Sequence, residues 1–116
     1  NPIQIDTTAY NLITDIQTDS KIEPAGFTLY DNYPNPFNLS TTIAFQLSQP
    51  AKVLLAIYDL QGREIRTLLQ ETKTAGHYSV NWDGRDEAGN CVASGMYFYK
   101  LWTNQFSIMK KCLLVK

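Results

Sequence analysis

The sequence predicts an all-β fold: an antiparallel, immunoglobulin-like β-sandwich of about seven strands, with an N-terminal extension. Short segments of alternating apolar and polar residues recur after Phe27 at the spacing typical of such a sandwich. Turn residues separate these segments, and no convincing helix lies between them, which disfavours a parallel α/β sheet. A chain of 116 residues has room for one domain and a tail. We therefore predict an extension or linker over residues 1–26 and one sandwich domain over residues 27–116.

The predicted strands cover residues 27–30, 41–47, 52–58, 63–69, 77–82, 96–103 and 106–115. The second and fifth place apolar side chains on one face only, as in a sheet with one solvated face. The third is apolar on both faces. Gly62 ends the turn between the third and fourth, where a positive φ is expected. The last two form a hairpin around Asn104 and Gln105, and Pro34 and Pro36 exclude a central strand between the first two.

The extension has a different pattern. Ile3 and Ile5 alternate with polar residues, as in a short strand, and Asp6 is placed to cap a turn of helix. Helical spacing follows in Ala9, Leu12, Ile13 and Ile16. Residues 17–26 read as a polar linker that ends in turn residues. Two interpretations stay open: a lead-in from an upstream domain, or a docking segment that forms a strand or a short helix.

Composition excludes several classes of function. The net charge of −1 and the pI of about 5.7 indicate neither a nucleic-acid-binding protein nor one attracted to anionic membranes. No stretch approaches the ~20 apolar residues of a transmembrane helix. Two cysteines, Cys91 and Cys112, are too few for a disulfide framework and lack zinc-site spacing. If the last hairpin turns near Asn104, Cys112 lies opposite Tyr97, several residues from Cys91, and we favour two free thiols.

The residues give little support to catalysis. His77 is the single histidine, on the polar face of a predicted strand, and spacing assembles no triad around it. We therefore predict no enzymatic activity and no cofactor. One loop could supply oxygen ligands to calcium, through Asp83, Asp86, Glu87 and Asn90. EF-hand spacing is absent, so a structural turn is the favoured interpretation and calcium the alternative.

Several blocks, in order, carry a family resemblance. The first is the turn-defining motif Tyr33-Pro34-Asn35-Pro36-Phe37-Asn38, and the second is a central hairpin through Gly62. Later blocks include Trp82-Asp83-Gly84, the segment that begins at Gly95, and a basic end with Lys110, Lys111 and Lys116. Residues 27–116 thereby resemble type IX secretion C-terminal sorting domains, and also the Ig-like domain of flagellar hook-capping proteins. Leu39 departs from the pattern, because a proline commonly follows the Pro-Phe-Asn of the family.

The resemblance implies a non-catalytic, secreted module at the surface of a Gram-negative bacterium. Such domains direct exported cargo across the outer membrane by binding the secretion machinery, and many are then cleaved when the cargo is attached to the surface. The signal would lie in the last strands, with Lys110, Lys111 and Lys116 as the partner-binding residues.

Two other functions stay open. The chain could be the structural subunit of an extracellular filament, a homo-polymer in which Ile3 and Ile5 add a strand to the sandwich of a neighbouring identical subunit. Exposed aromatic residues such as Tyr58, Phe98 and Trp102 could instead bind carbohydrate, although single apolar residues at a surface need no special explanation.

Overall fold

The structure is a computed structural model that describes residues 26–104 and 106–116. Its strands are β1 (Phe27–Leu29), β2 (Thr41–Leu47), β3 (Ala51–Tyr58), β4 (Glu64–Lys73), β5 (Gly76–Trp82), β6 (Gly95–Trp102) and β7 (Ser107–Leu114). Three of them form a sheet in the order β1-β2-β5, and four form a second sheet in the order β4-β3-β6-β7. All neighbouring strands are antiparallel. The predicted all-β, antiparallel sandwich is therefore confirmed.

The core lies between the two sheets and comes from the alternation that the sequence shows. Odd-numbered residues of β2, β3 and β6 point inward, because successive side chains of a strand point to opposite faces. All of them are buried except Ala51 and Gly95, which begin their strands and are partly buried. The buried apolar residues are Phe27, Leu29, Phe37, Ile43, Phe45, Leu47, Val53, Leu55, Ala56, Ile57, Trp82, Tyr97, Tyr99, Leu101, Cys112 and Leu114. Ala56 is the one residue of this set that alternation places on an outer face.

Strand β4 departs from simple alternation. Its pairing with β3 shifts register twice, once beside Leu55 and once beside Ile57. Each shift adds a residue to β4, which is the definition of a β-bulge. The added residues are Leu68 and Ile65, and both pack against the core. The bulges explain how the irregularly spaced apolar residues of this segment can all face inward.

The predicted strands match the observed ones closely, and the largest difference is the length of β4. This strand continues to Lys73 rather than ending at residue 69. Its last four residues are polar and mostly exposed, so the apolar pattern ends before the backbone pairing does. The predictions on Ile3, Ile5 and residues 6–16 lie outside the described residues, as does Gln105 of the last turn.

The hairpin of β6 and β7 confirms one register prediction, because Tyr97 is opposite Cys112. Both cysteines are free thiols, Cys91 exposed and Cys112 buried. Burial raises the pKa of the Cys112 thiol to about 12. In the ranges 26–104 and 106–116, no helix has the length and apolar character needed to cross a membrane.

Candidate partner-binding end of the sandwich

The motif at residues 33–38 connects the two sheets at one end of the sandwich. Tyr33 exchanges two backbone hydrogen bonds with Thr42 of β2, with N···O distances of 3.0 and 2.9 Å. Four residues later, the Phe37 N–H donates to the Leu113 carbonyl of β7 at 2.9 Å, and the Val115 N–H donates to the Phe37 carbonyl at 2.9 Å. The chain therefore passes from the three-stranded sheet to the free edge of β7 and pairs there.

Two asparagine side chains strengthen this pairing. The Asn35 carbonyl oxygen accepts a hydrogen bond from the Leu113 N–H at 3.0 Å, and the Asn38 amide donates to the Val115 carbonyl at 3.1 Å. Asn35, Phe37 and Asn38 therefore bind the end of β7, and we name these three residues the strand clamp. An unpaired strand edge is a template for unwanted pairing. The strand clamp closes that edge at Leu113 and Val115.

An aromatic cluster lies beneath the strand clamp. The ring of Phe37 contacts Trp82 with a centroid distance of 5.5 Å, and Trp82 meets Tyr97 edge to face at 5.4 Å. The Trp82 indole N–H donates to the Arg85 carbonyl at 3.0 Å, so the buried ring leaves no polar atom unpaired. Gly84 follows with a φ of +72°, and a β-carbon there would lie 3.7 Å from the Leu114 side chain. The predicted motif residues Phe37, Trp82 and Gly84 thus meet around the end of β7.

Three residues that are not among the predicted site residues, Asn32, Thr41 and Tyr99, fix the start of the motif through hydrogen bonds. The Asn32 amide donates to the Pro34 carbonyl at 3.2 Å and to the Thr41 hydroxyl at 3.0 Å, and the Thr41 hydroxyl donates to the Pro34 carbonyl at 2.8 Å. The Tyr99 hydroxyl accepts from the Asn32 N–H at 2.9 Å and donates to the Tyr30 carbonyl at 2.9 Å. Burial raises the pKa of Tyr99. A tyrosine at an inward strand position was the available signal, because a buried phenol needs a partner.

The Gly62 hairpin lies at the same end, where β3 ends. Gly62 has a φ of +84°, and its N–H donates to the Asp59 carbonyl at 3.0 Å. The Asp59 carboxylate accepts hydrogen bonds from the N–H groups of Gln61 and Arg63 and from the Arg63 guanidinium. Desolvation alone would raise the pKa of Asp59, but these bonds lower it overall. Gly95, with a φ of +153°, begins β6 opposite Leu114.

Exposed apolar side chains border this end. Tyr33 is 79% exposed, Leu39 is 80% exposed and Val115 is 49% exposed. Leu39, Leu114 and Lys116 line one groove together with Arg85 and Cys91. Contiguous exposed apolar residues mark protein contact surfaces, and arginine is enriched at such surfaces. This end of the sandwich is therefore our candidate partner-binding site.

The three predicted cationic residues do not form one patch. Lys110 points toward the edge of the core and is paired with Asp31, with an N···O distance of 3.2 Å. Lys111, the next residue, points to the outer face of the four-stranded sheet, because neighbouring strand residues alternate. Lys116 follows β7, and its backbone N–H donates to the Ser94 hydroxyl at 3.0 Å. Only Lys116 borders the groove at the candidate site.

The predicted calcium loop uses its oxygens within the protein. Asp83 is paired with Arg66 at 2.9 Å. One oxygen of Asp86 accepts the N–H groups of Ala88 and Asn90 at 3.0 and 2.9 Å, and Glu87 accepts from Thr67 N–H at 3.0 Å. In the part of the chain that is described, no three His, Cys, Asp or Glu side chains are grouped to hold a metal ion. Calcium binding stays a prediction, and a calcium titration followed by thermal unfolding tests it.

The comparisons with known proteins agree with this architecture. The FlgD Ig-like domain model matches residues 33–105. The basal-body rod modification protein FlgD of Salmonella typhimurium is 39% identical over 59 residues, which are 50% of this chain and 25% of that protein. This chain therefore spans about a quarter of the curated relative.

Two solved structures from Porphyromonas gingivalis show the same fold. Dimeric latent PorU superposes with a TM-score of 0.64 and 22% identity, over 85% of this chain and 10% of its own. PorZ, described as an essential bacterial surface component of the type IX secretion system, superposes with a TM-score of 0.54 and 24% identity, over 76% of this chain and 11% of its own. The family model covers well over half of the 116 residues, so this chain belongs to the FlgD Ig-like domain family.

Proposed function

We propose that this chain is a non-catalytic, secreted sorting module, which directs export through the type IX system to the surface of a Gram-negative bacterium. The observation that carries the proposal is the strand clamp, which joins the first family block to the end of β7 through backbone and side-chain hydrogen bonds. Blocks far apart in the sequence thereby build one surface at one end of the sandwich.

The comparisons support the coarser part of this proposal, a protein-binding module of the cell envelope. FlgD is named a basal-body rod modification protein, and PorZ is described as a surface component of the type IX secretion system. The fold is common to both, so a specific role in export has to rest on the site. We assign partner contact to Leu39, Val115 and Lys116, because all three are exposed at the clamped end. Leu39 and Lys116 line the same groove, and Val115 directly precedes Lys116 in the chain.

Export can be tested with a reporter fused ahead of residues 1–116. The fusion is expressed in a host with a type IX system and in an isogenic host without its translocon. The proposal expects the reporter on the cell surface or in the medium of the first host only. Equal export from both hosts, or from neither, contradicts it. Deletion of residues 106–116 is less informative, because it removes a core strand that contains Cys112 and Leu114, so lost export could reflect unfolding.

A filament subunit is the second candidate, and an open strand edge favours it. The backbone groups of Thr42 and Ala44 in β2 form hydrogen bonds on the side of β1. Because the direction of backbone hydrogen bonding alternates along a strand, the backbone groups of the residues next to them face β5. The backbone groups of His77, Ser79 and Asn81 then face the other edge of β5, which no described strand pairs with. This edge could accept a strand from Ile3 and Ile5 of a neighbouring subunit.

Electron microscopy of the full chain tests the second candidate. Ile3→Asp/Ile5→Asp should abolish filaments, whereas Gln4→Asp, on the other face of the same strand, should retain them. Ser79→Pro should also abolish them, since it removes the N–H at the accepting edge. Dispersed particles from the unmodified chain contradict strand donation and leave the sorting module unaffected.

A further inference from the structure

The two outer faces of the sandwich differ in chemistry. The outer face of the three-stranded sheet is polar in the usual way and carries Thr28, Thr42, Ala44, Gln46, His77, Ser79 and Asn81. On the outer face of the four-stranded sheet, alternation places a group of apolar residues among polar residues of β4 and lysines of the other strands. Ala56 of this group is buried, Met109 is exposed and the other six are partly buried: Leu54, Tyr58, Met96, Phe98, Trp102 and Leu113. We name this second set the apolar face. An antiparallel sheet normally presents polar side chains to water, so a group of eight apolar residues on this outer face is suited to contact with another apolar surface.

Two aromatic rings pack against each other at the centre of the apolar face. The rings of Tyr58 and Trp102 meet edge to face with a centroid distance of 5.9 Å. Ala56 lies between Leu54, which is opposite Trp102, and Tyr58 on the outer face of β3. The two rings therefore meet above Ala56, which is fully buried. We name this ring pair the aromatic platform. Met109 is 56% exposed beside this platform. The apolar face therefore has two packed aromatic rings at its centre and an exposed methionine beside them.

Cations lie along the same face. Lys100 is opposite Ala56 and its ammonium group is 4.7 Å from the Trp102 ring centroid. Lys111 is opposite Phe98, and Lys52 lies at the end of the sheet beside Leu54. Within residues 26–104 and 106–116, none of these three lysines is in an ion pair. Glu64, opposite Tyr58, is the one carboxylate that the register places on this face. An occupant with apolar and acidic groups would complement it.

The extension of the same chain has this chemistry. Residues 1–25 contain one cation, Lys21, and four carboxylates, Asp6, Asp15, Asp19 and Glu23, for a net charge of −3. Residues 26–116 contain nine cations and seven carboxylates, for a net charge of +2. At helical spacing, Ala9, Leu12, Ile13 and Ile16 form one stripe, and Asp6 and Asp19 border it on opposite sides. An apolar stripe with acidic borders matches an apolar face with basic residues.

The point of entry allows this contact within one chain. Gly26 lines a groove with Ala51, Lys52 and Asn104, at the end of the four-stranded sheet where β3 begins and β6 ends. If residues up to Asp19 are docked, the six residues 20–25 can span up to about 20 Å, whereas packed sheets are about 10 Å apart. A short tether also gives an effective concentration of about millimolar order, which favours contact within the chain over contact between copies.

We infer that residues 6–19 dock on the apolar face of the same chain, with Leu12 and Ile16 against the aromatic platform and the flanking carboxylates near Lys100 and Lys111. This assignment goes beyond the sorting function. It also competes with strand donation, because one segment cannot cover its own sandwich and add a strand to a neighbouring one at the same time.

The two methionines of the chain, Met96 and Met109, both lie on the apolar face and so report on its cover. The full chain is labelled with ¹³C at the methionine methyl groups, and relaxation by a soluble gadolinium chelate is measured. The unmodified chain should show several-fold weaker relaxation of both methyls than Leu12→Asp/Ile16→Asp. The control Asn11→Asp/Thr18→Asp adds the same charge on the opposite side of the predicted helix and should behave like the unmodified chain.

Several outcomes would overturn the inference. Equal relaxation in the unmodified chain and Leu12→Asp/Ile16→Asp means that the segment does not cover the face. Protection that disappears on dilution means that a second copy is the occupant. Loss of protection in the control as well means that added charge, and not the stripe, is responsible. Lys100→Gln/Lys111→Gln should weaken protection, and an unchanged result would remove the electrostatic part of the argument. The positions substituted in the extension precede residue 26 in the sequence, and thermal unfolding checks that each variant is folded.

Discussion

Replacing Phe37 by alanine should destabilise the domain and release the end of β7. Phe37 is 2% exposed, its ring contacts Trp82, and its backbone pairs with Leu113 and Val115. Removing a buried phenylalanine side chain costs about 3–5 kcal/mol, which includes the lost aromatic contact. For a folded domain of this size, each kcal/mol lowers Tm by about 4–8 °C, so a decrease of more than about 12 °C is expected.

The assay combines urea unfolding, followed by tryptophan fluorescence, with amide hydrogen exchange. In Phe37→Ala the amides of Leu113 and Val115 should exchange faster by a larger factor than that of Leu55 in the centre of the sheet. Tyr33→Ala is the matched control, because Tyr33 belongs to the same motif but is 79% exposed, and it should change stability by less than about 0.5 kcal/mol. A loss below about 1 kcal/mol in Phe37→Ala, or exchange that rises uniformly, would refute the role given to the strand clamp.

Four further predictions concern the two cysteines, Tyr99 and Asp59. Ellman's reagent at pH 8 should modify the exposed Cys91 rapidly and the buried Cys112 only after denaturation; two fast thiols would contradict the burial. Burial raises the pKa of Cys112 from 9.0 to about 12, so the thiol ionises first in the unfolded state. Between pH 9 and pH 12 the free energy of unfolding should therefore fall by about 1.4 kcal/mol per pH unit more steeply than in Cys112→Ala, and below pH 9 the two proteins should have the same pH dependence. Tyr99→Phe leaves the Asn32 N–H without its acceptor and should cost about 1–3 kcal/mol in urea unfolding; a neutral result would show that water replaces the hydroxyl. The pKa of Asp59 is lowered, so its contribution to stability should be present above the usual pKa of 3.8 and be lost as the pH falls through the folded value. Asp59→Asn should abolish that dependence, and an identical acid titration of both proteins would argue against it.

The sequence predicts the sandwich well because most of its strands follow a period of two. In β5, Tyr78, Val80 and Trp82 face inward while His77 and the other intervening residues are exposed, as the alternation indicates. The irregular apolar spacing of Ile65, Leu68 and Leu69 also has a structural counterpart in the two bulges of β4. The end of β4 was missed because an exposed edge strand can continue without any apolar side chain.

The candidate site was predicted only in part, because its contacts join residues far apart in sequence. Asn35 bonds Leu113 across 78 positions, and Tyr99 bonds Asn32 across 67 positions. The motif identified the Asn35 segment, but local pattern does not reveal its partner. By contrast, the divergence of Lys110 and Lys111 follows from alternation alone, since consecutive residues of a strand point to opposite faces.

The most direct test of the proposed function is export of the reporter fusion that carries Leu39→Asp/Val115→Asp. Leu39 is 80% exposed and Val115 is 49% exposed, so the variant should unfold close to the temperature of the unmodified domain. His77→Asp/Ser79→Asp adds equal charge to the polar face of the other sheet and serves as the control. The proposal predicts that the first variant is folded but not exported, while the control is exported normally. Normal export of a folded Leu39→Asp/Val115→Asp fusion would contradict the assignment of the clamped end as the partner-binding site.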